Sequence, residues 1–135
     1  MKFQHSIQLR VRYGETDQMG YCYYGNYAQY FEVGRVETLR ELGTSYKELE
    51  ANGYMLPVSE LSVKYKLPAF YDDELTITTT INKISGARIF FDYTVKNNTN
   101  QIIAEATTTL VFVAKKTMKP THPPESFLTL CKQFS

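Results

Sequence analysis

Hydrophobic and polar positions divide the chain into stretches of different period. From Phe3 to Tyr13 they alternate: Ile7, Leu9, Val11 and Tyr13 fall on one side, Gln8, Arg10 and Arg12 on the other. A period of two predicts a strand with one wet face. Residues Gly14 to Gly25 have no period, contain three glycines and carry Asp17. Spacings of three and four then take over at Tyr27, Tyr30, Phe31, Gly34, Thr38 and Leu42, with Val33, Val36 and Leu39 widening the stripe. This predicts one long amphipathic helix, with Asn26 as its N-cap and Gly43 as the left-handed residue that ends it. Glu32, Arg35, Glu37, Arg40 and Glu41 are assigned to the polar side. Gly34 costs a helix interior about 1 kcal/mol relative to alanine, so it is expected to serve close approach of helix and sheet.

Thr44 to Asn52 predicts a short second helix, capped at Thr44 or Ser45 and stopped by Gly53. Period two then returns. Leu61, Val63, Tyr65 and Leu67 alternate with Ser62, Lys64 and Lys66 as far as Pro68, and Leu75, Ile77, Thr79 and Ile81 alternate with Thr76, Thr78 and Thr80. Ser85-Gly86 turns into Ile89, Phe91, Tyr93 and Val95, and Asn97 to Asn100 leads into a last long strand from Ile102 to Val113. Short turns of this kind make sequential strands antiparallel neighbours. Three prolines between Lys115 and Pro124 break the pattern, and Glu125 to Phe134 predicts a terminal helix with Phe127, Leu128, Leu130, Cys131 and Phe134 apolar. No repeat or linker interrupts the series, so one domain over 1–135 is expected. A lone long helix beside many strands buries its stripe on their sheet.

Composition narrows the class without adding chemistry. With 43% hydrophobic and 21% charged residues the chain reads as soluble and globular, neither disordered nor fibrous. A net charge of +1 supplies no global field for nucleic acid or an anionic membrane. The start, Met1-Lys-Phe-Gln-His-Ser, lacks a signal-peptide core, and no apolar run reaches the ~18 residues of a membrane span. A cytoplasmic protein without nucleic-acid or membrane partners is expected. Cys22 and Cys131 lie outside any CxxC pattern, and His5 and His122 are the only histidines, so neither a disulfide framework nor a metal site is expected. GxSxG elbows, phosphate loops and dinucleotide fingerprints are absent from the sequence.

Asp17 in a glycine-rich loop reads, taken alone, as a turn-former. Its flanks change that reading. The run Tyr13-x-x-Thr16-Asp17-x-Met19-Gly20-x-x-Tyr23-Tyr24-Gly25-Asn26-Tyr27, followed by Tyr30-Phe31-Glu32 and Arg35-x-Glu37-x-Leu39-Arg40, resembles the hotdog-fold acyl-CoA thioesterases, in particular the 4-hydroxybenzoyl-CoA thioesterase-like branch. Pro57-Val58, Tyr65-Lys66-x-Pro68-Ala69 and Asp72-Asp73-x-Leu75 extend the resemblance over most of the chain.

The resemblance implies an α+β hotdog fold, an antiparallel sheet of about five strands wrapped around one long central helix. It further implies homodimers joined sheet edge to sheet edge, active sites at the dimer interface, and pairing of dimers into a homotetramer. The implied activity is hydrolysis of the thioester of an acyl- or aroyl-CoA, with no cofactor because coenzyme A is part of the substrate. Asp17 would act as general base toward water or attack the thioester itself, and the sequence leaves both open. The backbone N–H of Tyr24, with that of Gly25 beside it, would polarise the carbonyl from the helix start. Part of the family carries His where this chain has Tyr24, so no side-chain acid or base is expected there. Met19, Gly20, Tyr23, Asn26 and Tyr27 are expected around the substrate.

Arg88 and Lys64 or Lys66 are candidates for the phosphates by charge. Tyr21, Tyr23, Tyr24 and Tyr27 would line an aromatic pocket or pack half-buried. Glu32 and Glu37 are read as surface or interface groups, and Cys22 as a small loop or core residue ahead of a thiolate nucleophile. Two alternatives stay open: a thioesterase acting on acyl-carrier protein, and an acyl-CoA-binding hotdog module without turnover.

Overall fold

The computed structural model describes residues 2–133. In chain order the elements are β1 (Phe3–Arg10), α1 (Tyr27–Leu42), α2 (Tyr46–Ala51), β2 (Tyr54–Met55), β3 (Val58–Tyr65), β4 (Glu74–Ser85), β5 (Arg88–Lys96), β6 (Ile102–Val111), β7 (Val113–Ala114), β8 (Lys119–Pro120) and α3 (Glu125–Lys132). Five strands form an antiparallel sheet in the order β1-β4-β5-β6-β3. The β4-β5-β6 meander follows the predicted turns. At the second of them Asn97 Oδ1 accepts from the N–H groups of Thr99 and Gln101, and Asn100 takes the left-handed conformation.

The expectation that sequential strands are neighbours fails at β3 and β4. Strand β3 pairs with β6, whereas β4 pairs with β1. Residues 66–73 therefore cross from edge strand β3 to β4, the neighbour of the opposite edge, and they pass under the Asp17 loop on the way: Cys22 N–H donates to Ala69 O, and Asp72 N–H to Val11 O. The same contacts shorten the first strand. Regular pairing stops at Arg10, Val11 is held in the core, and a 3-10 turn at Tyr13–Glu15 leaves Tyr13 in solvent.

Helix α1 buries Tyr27, Tyr30, Phe31, Gly34, Arg35, Thr38, Leu39 and Leu42. Two assignments from the sequence are corrected. Val33 is exposed and Arg35 is buried, because Val33 lies about 200° around the helix from Phe31 whereas Arg35 falls one turn after it. Gly34 is where the helix meets the sheet: a Cβ there would lie 2.5 Å from Thr79 Oγ1 and 3.3 Å from Ile77 Cγ2. Gly43 ends the helix at φ 116°, its N–H shared between Leu39 O and Arg40 O. Ser45 caps α2 by accepting from Glu48 N–H at 3.0 Å.

The core between α1 and the sheet is built from Phe31, Leu39, Leu75, Ile77, Ile81, Phe91, Tyr93 and Val95, all essentially inaccessible. Helix α1 leans on β1 and β4. The β6–β3 half of the same face is left less covered, and Val58, Leu61 and Tyr65 of edge strand β3 stay about half exposed. A small second sheet, β2-β7-β8, was not foreseen, since its two-residue strands are too short to show a period. Helix α3 forms as expected and packs Phe127 edge-on against Phe112; the predicted Phe134 lies outside the described residues. No helix of the described residues is long and apolar enough to cross a membrane.

Candidate active site

The loop before α1 is held by hydrogen bonds within a few residues. Asp17 Oδ1 accepts from Met19 N–H at 2.9 Å and Tyr21 N–H at 3.2 Å, and Gly20 N–H returns to Asp17 O at 3.0 Å. Gly20 closes the turn at φ 82°, a conformation that favours glycine. Asp17 is therefore a turn-former through one carboxylate oxygen. The other, Oδ2, has no protein partner among the described residues. The half-buried carboxylate lines a cleft of about 300 Å³ together with Met19, Cys22, Tyr24, Tyr27 and Tyr65.

Opposite that carboxylate stands the helix start. Tyr24–Asn26 form a 3-10 turn that runs into α1. Among the described residues the backbone N–H groups of Tyr24 and Gly25 find no acceptor. Asn26 stands at the predicted N-cap position, but the expected side-chain cap is corrected: the residue is already right-handed helical and its side chain caps nothing. Its Nδ2 donates instead to Glu15 O at 2.7 Å. The helix start thus keeps unsatisfied donors and the positive end of its dipole, where a developing negative charge is stabilised. Gly25 makes room for the Tyr23 ring, since a Cβ there would meet Tyr23 Cε2 at 2.7 Å. Tyr65 closes the cleft from β3, its hydroxyl 3.4 Å from Tyr24 O and its ring edge-on to Tyr27.

Glu15 ties loop and helix together, and sequence reasoning missed it. Its carbonyl accepts from Tyr23 N–H and Asn26 Nδ2, and its carboxylate from Arg12 N–H, the Arg12 guanidinium and the Tyr30 hydroxyl at 2.8 Å. A lone Glu two residues before Asp17 carries no local mark of burial. Burial works to raise its pKa, but the Arg12 backbone donor, the Tyr30 hydroxyl and the Arg12 guanidinium outweigh it and hold the carboxyl below the usual value. A depressed folded-state pKa contributes stability that is present above the unfolded value and lost as pH falls through the folded one. Glu15→Gln is therefore expected to lower stability by about 1–3 kcal/mol at neutral pH. The gap to wild type should shrink below pH 4.5, read by urea unfolding across an acid series.

The Tyr30 hydroxyl, spent on Glu15, leaves its oxygen 3.3 Å from Cys22 Sγ, so the thiol is the donor of that contact. Burial pushes the Cys22 thiol above its ordinary range. A thiolate nucleophile is disfavoured, and Cys22 acts as a buried wall of the cleft.

The structure brings Asp17, Met19, Tyr24 and Tyr27 to one cleft, with Gly20, Tyr23, Gly25 and Asn26 in the segments that shape it. It does not bring Lys64 or Arg88 there. Strand alternation turns Lys64 away from the Tyr65 face, and Arg88 opens β5 at the end opposite Lys96, about 26 Å along the strand. Lys66 lines the cleft instead, 3.4 Å from Glu105 on the rim. Tyr65, Leu67 and Pro68 join it there; the only signal for them was the Tyr65-Lys66-x-Pro68 run.

Residues 11–130 match the family model described as the thioesterase-like superfamily. The putative acyl-CoA thioesterase YneP of Bacillus subtilis is 32% identical over 120 residues, covering 89% of this chain and 87% of that protein. The acyl-CoA thioester hydrolase YbgC of Escherichia coli O6:H1 is 34% identical over 125 residues, covering 93% of each. A DHNA-CoA thioesterase from Staphylococcus aureus superposes with a TM-score of 0.91 at 30% identity, over 97% of this chain and 90% of that one.

Proposed function

The chain belongs to the thioesterase-like superfamily, and from that premise we propose how its cleft works. The protein is a hotdog-fold thioester hydrolase that cleaves the thioester of an acyl- or aroyl-CoA. The substrate carbonyl oxygen sits against the free N–H groups of Tyr24 and Gly25. Asp17 Oδ2 takes a proton from a water that adds to the carbonyl carbon; the tetrahedral intermediate then collapses, and the same proton leaves with the coenzyme A sulfur. In the second route Oδ2 attacks the carbon directly, the thiolate departs, and water hydrolyses the mixed anhydride. Either way negative charge develops on the oxygen facing the helix start, where one such donor is worth roughly 3–4 kcal/mol in the barrier. The observation that carries this reading is the pairing, around one cleft, of a carboxylate oxygen and two helix-start amides that find no partner among the described residues.

Coenzyme A arrives as part of the substrate, and Lys66 on the cleft rim is the cation nearest to hand for its phosphates. The test is release of free thiol from a panel of acyl- and aroyl-CoAs, run beside the same acyl groups on acyl-carrier protein. Faster turnover on the protein-bound substrate would move the activity to that carrier. Saturable acyl-CoA binding without thiol release would mark a binding module.

The half-exposed apolar side chains of β3, on an edge with unpaired backbone groups, support a homodimer built by pairing this strand with that of a second copy. Two such dimers would give the homotetramer, and the relatives' bacterial origin is in keeping with a cytoplasmic enzyme. Leu61→Lys on this edge is expected to shift the protein to monomer in light scattering and to lower turnover with it. An unchanged mass would rule out the β3 contact.

A further inference from the structure

Residues 12–26 carry both halves of the chemistry, the Asp17 carboxylate and the Tyr24 and Gly25 amides, yet they bury only two side chains, Glu15 and Cys22. With so little apolar anchorage, hydrogen bonds must fix where the carboxylate stands relative to the amides. The bonds of Asp17 itself do not, because they run to Met19, Gly20 and Tyr21 inside its own turn.

Among the described residues, the three hydrogen bonds that join residues 12–21 to residues 23–30 all end on Glu15. Its carbonyl oxygen accepts from Tyr23 N–H at 2.8 Å and from Asn26 Nδ2 at 2.7 Å. These two donors bracket Tyr24 and Gly25, so one oxygen grips both ends of the segment that presents the free amides. Glu15 Oε1 takes the Tyr30 hydroxyl at 2.8 Å, one helical turn beyond Asn26. The same carboxylate accepts from Arg12 N–H and the Arg12 guanidinium, which keeps the side chain from swinging away. An apolar side chain could fill this space without the cost of burying a charge. It could not hold loop and helix in one orientation through directed bonds.

We propose that Glu15 is a positioning residue: through its carbonyl and its carboxylate it sets the separation between the Asp17 carboxylate and the Tyr24 and Gly25 amides. The inference rests on the thioesterase reading of the cleft. Reacting groups displaced by about 1 Å can lose about 10²-fold in rate, so a brace at this point is felt in the chemistry and not only in stability. Asn26, expected around the substrate, grips Glu15 on this assignment.

Tyr30→Phe keeps the buried ring and removes only the hydroxyl that ties Glu15 to α1, and Asn26→Ala removes the grip on the Glu15 carbonyl. Well below the melting temperature, each is expected to lower kcat for thiol release from the best acyl-CoA by about 10–100-fold, with KM changed less than about twofold. A stabilising role alone would leave both constants unmoved at that temperature. The cycle with Asp17→Asn adds a second reading. Once the carboxylate is gone its placement no longer matters, so Tyr30→Phe should cost less than about threefold more in that background. Unchanged kcat, a loss confined to KM, or the full loss repeated on top of Asp17→Asn would each overturn the inference. Either variant decides if the other does not fold. A wild type that releases no thiol from any acyl-CoA would sink the thioesterase reading instead. The brace is then read from amide resonances: Tyr30→Phe should shift those of Tyr24 and Gly25 together with those of Met19 and Tyr21. Shifts confined to the neighbours of residue 30 would overturn it.

Discussion

Asp17→Asn is expected to lower kcat for thiol release by about 10²–10⁴-fold on every acyl-CoA that the wild type cleaves, with little change in KM or melting temperature. The substitution is suited to the question because the two carboxylate oxygens have different tasks. Oδ1 accepts from Met19 N–H and Tyr21 N–H, and an asparagine carbonyl can keep both bonds, so the turn persists. Only Oδ2 changes, from a charged acceptor facing the cleft to an NH₂ that can neither take a proton from water nor attack a carbonyl. Loss confined to kcat is the mark of an interaction made in the transition state. Near-full turnover on the best substrate would remove Asp17 from the chemistry. A drop in melting temperature that matches the loss would return it to the role of turn-former.

The second large effect concerns the helix that carries the site. Gly34→Ala is expected to cost about 1–2 kcal/mol of stability and several degrees in melting temperature, although alanine is the better helix former by about 1 kcal/mol. The added Cβ would sit 2.5 Å from Thr79 Oγ1 and 3.3 Å from Ile77 Cγ2, atoms of a central strand that cannot retreat. Overpacking of this kind typically costs about 1–3 kcal/mol and outweighs the gain in propensity. Thr79 Oγ1 is itself buried and has no hydrogen-bond partner among the described residues. Removing it relieves the clash and forfeits no bond, so Gly34→Ala with Thr79→Ala should recover most of the loss. Additive effects of the two substitutions in unfolding experiments, or a single variant as stable as wild type, would show that helix and sheet are not in limiting contact at Gly34.

Contacts remote in sequence override several local signals. Asn26 has the residue type of an N-cap, yet its amide is taken by Glu15 O, eleven residues earlier. Charge alone places Arg35 in water, while its angular position on α1 brings it to the hydroxyls of Tyr46 and Tyr93. Charge alone points to Lys64 and Arg88, but register decides which face and which end of a strand a charge occupies. Lys66, two positions on, lies past the end of β3 at Tyr65, where alternation no longer fixes the side a residue takes.

What the sequence determined by itself is local. The period of the side chains set α1 and the long strands, Gly43 and Ser45 set where the helices end and begin, and the spacing from Asp17 to Gly20 and Tyr21 set the turn that aims the carboxylate. Each depends on groups within a few residues of one another. Only the tertiary structure decided that β3 is an edge strand, that residues 66–73 cross beneath the loop, that Glu15 is buried against Tyr30, and that Tyr65 closes the cleft over Tyr24. These contacts join groups up to tens of residues apart, 41 in the case of Tyr65 and Tyr24. They are fixed by strand order and register, for which no single stretch of the chain carries a signal.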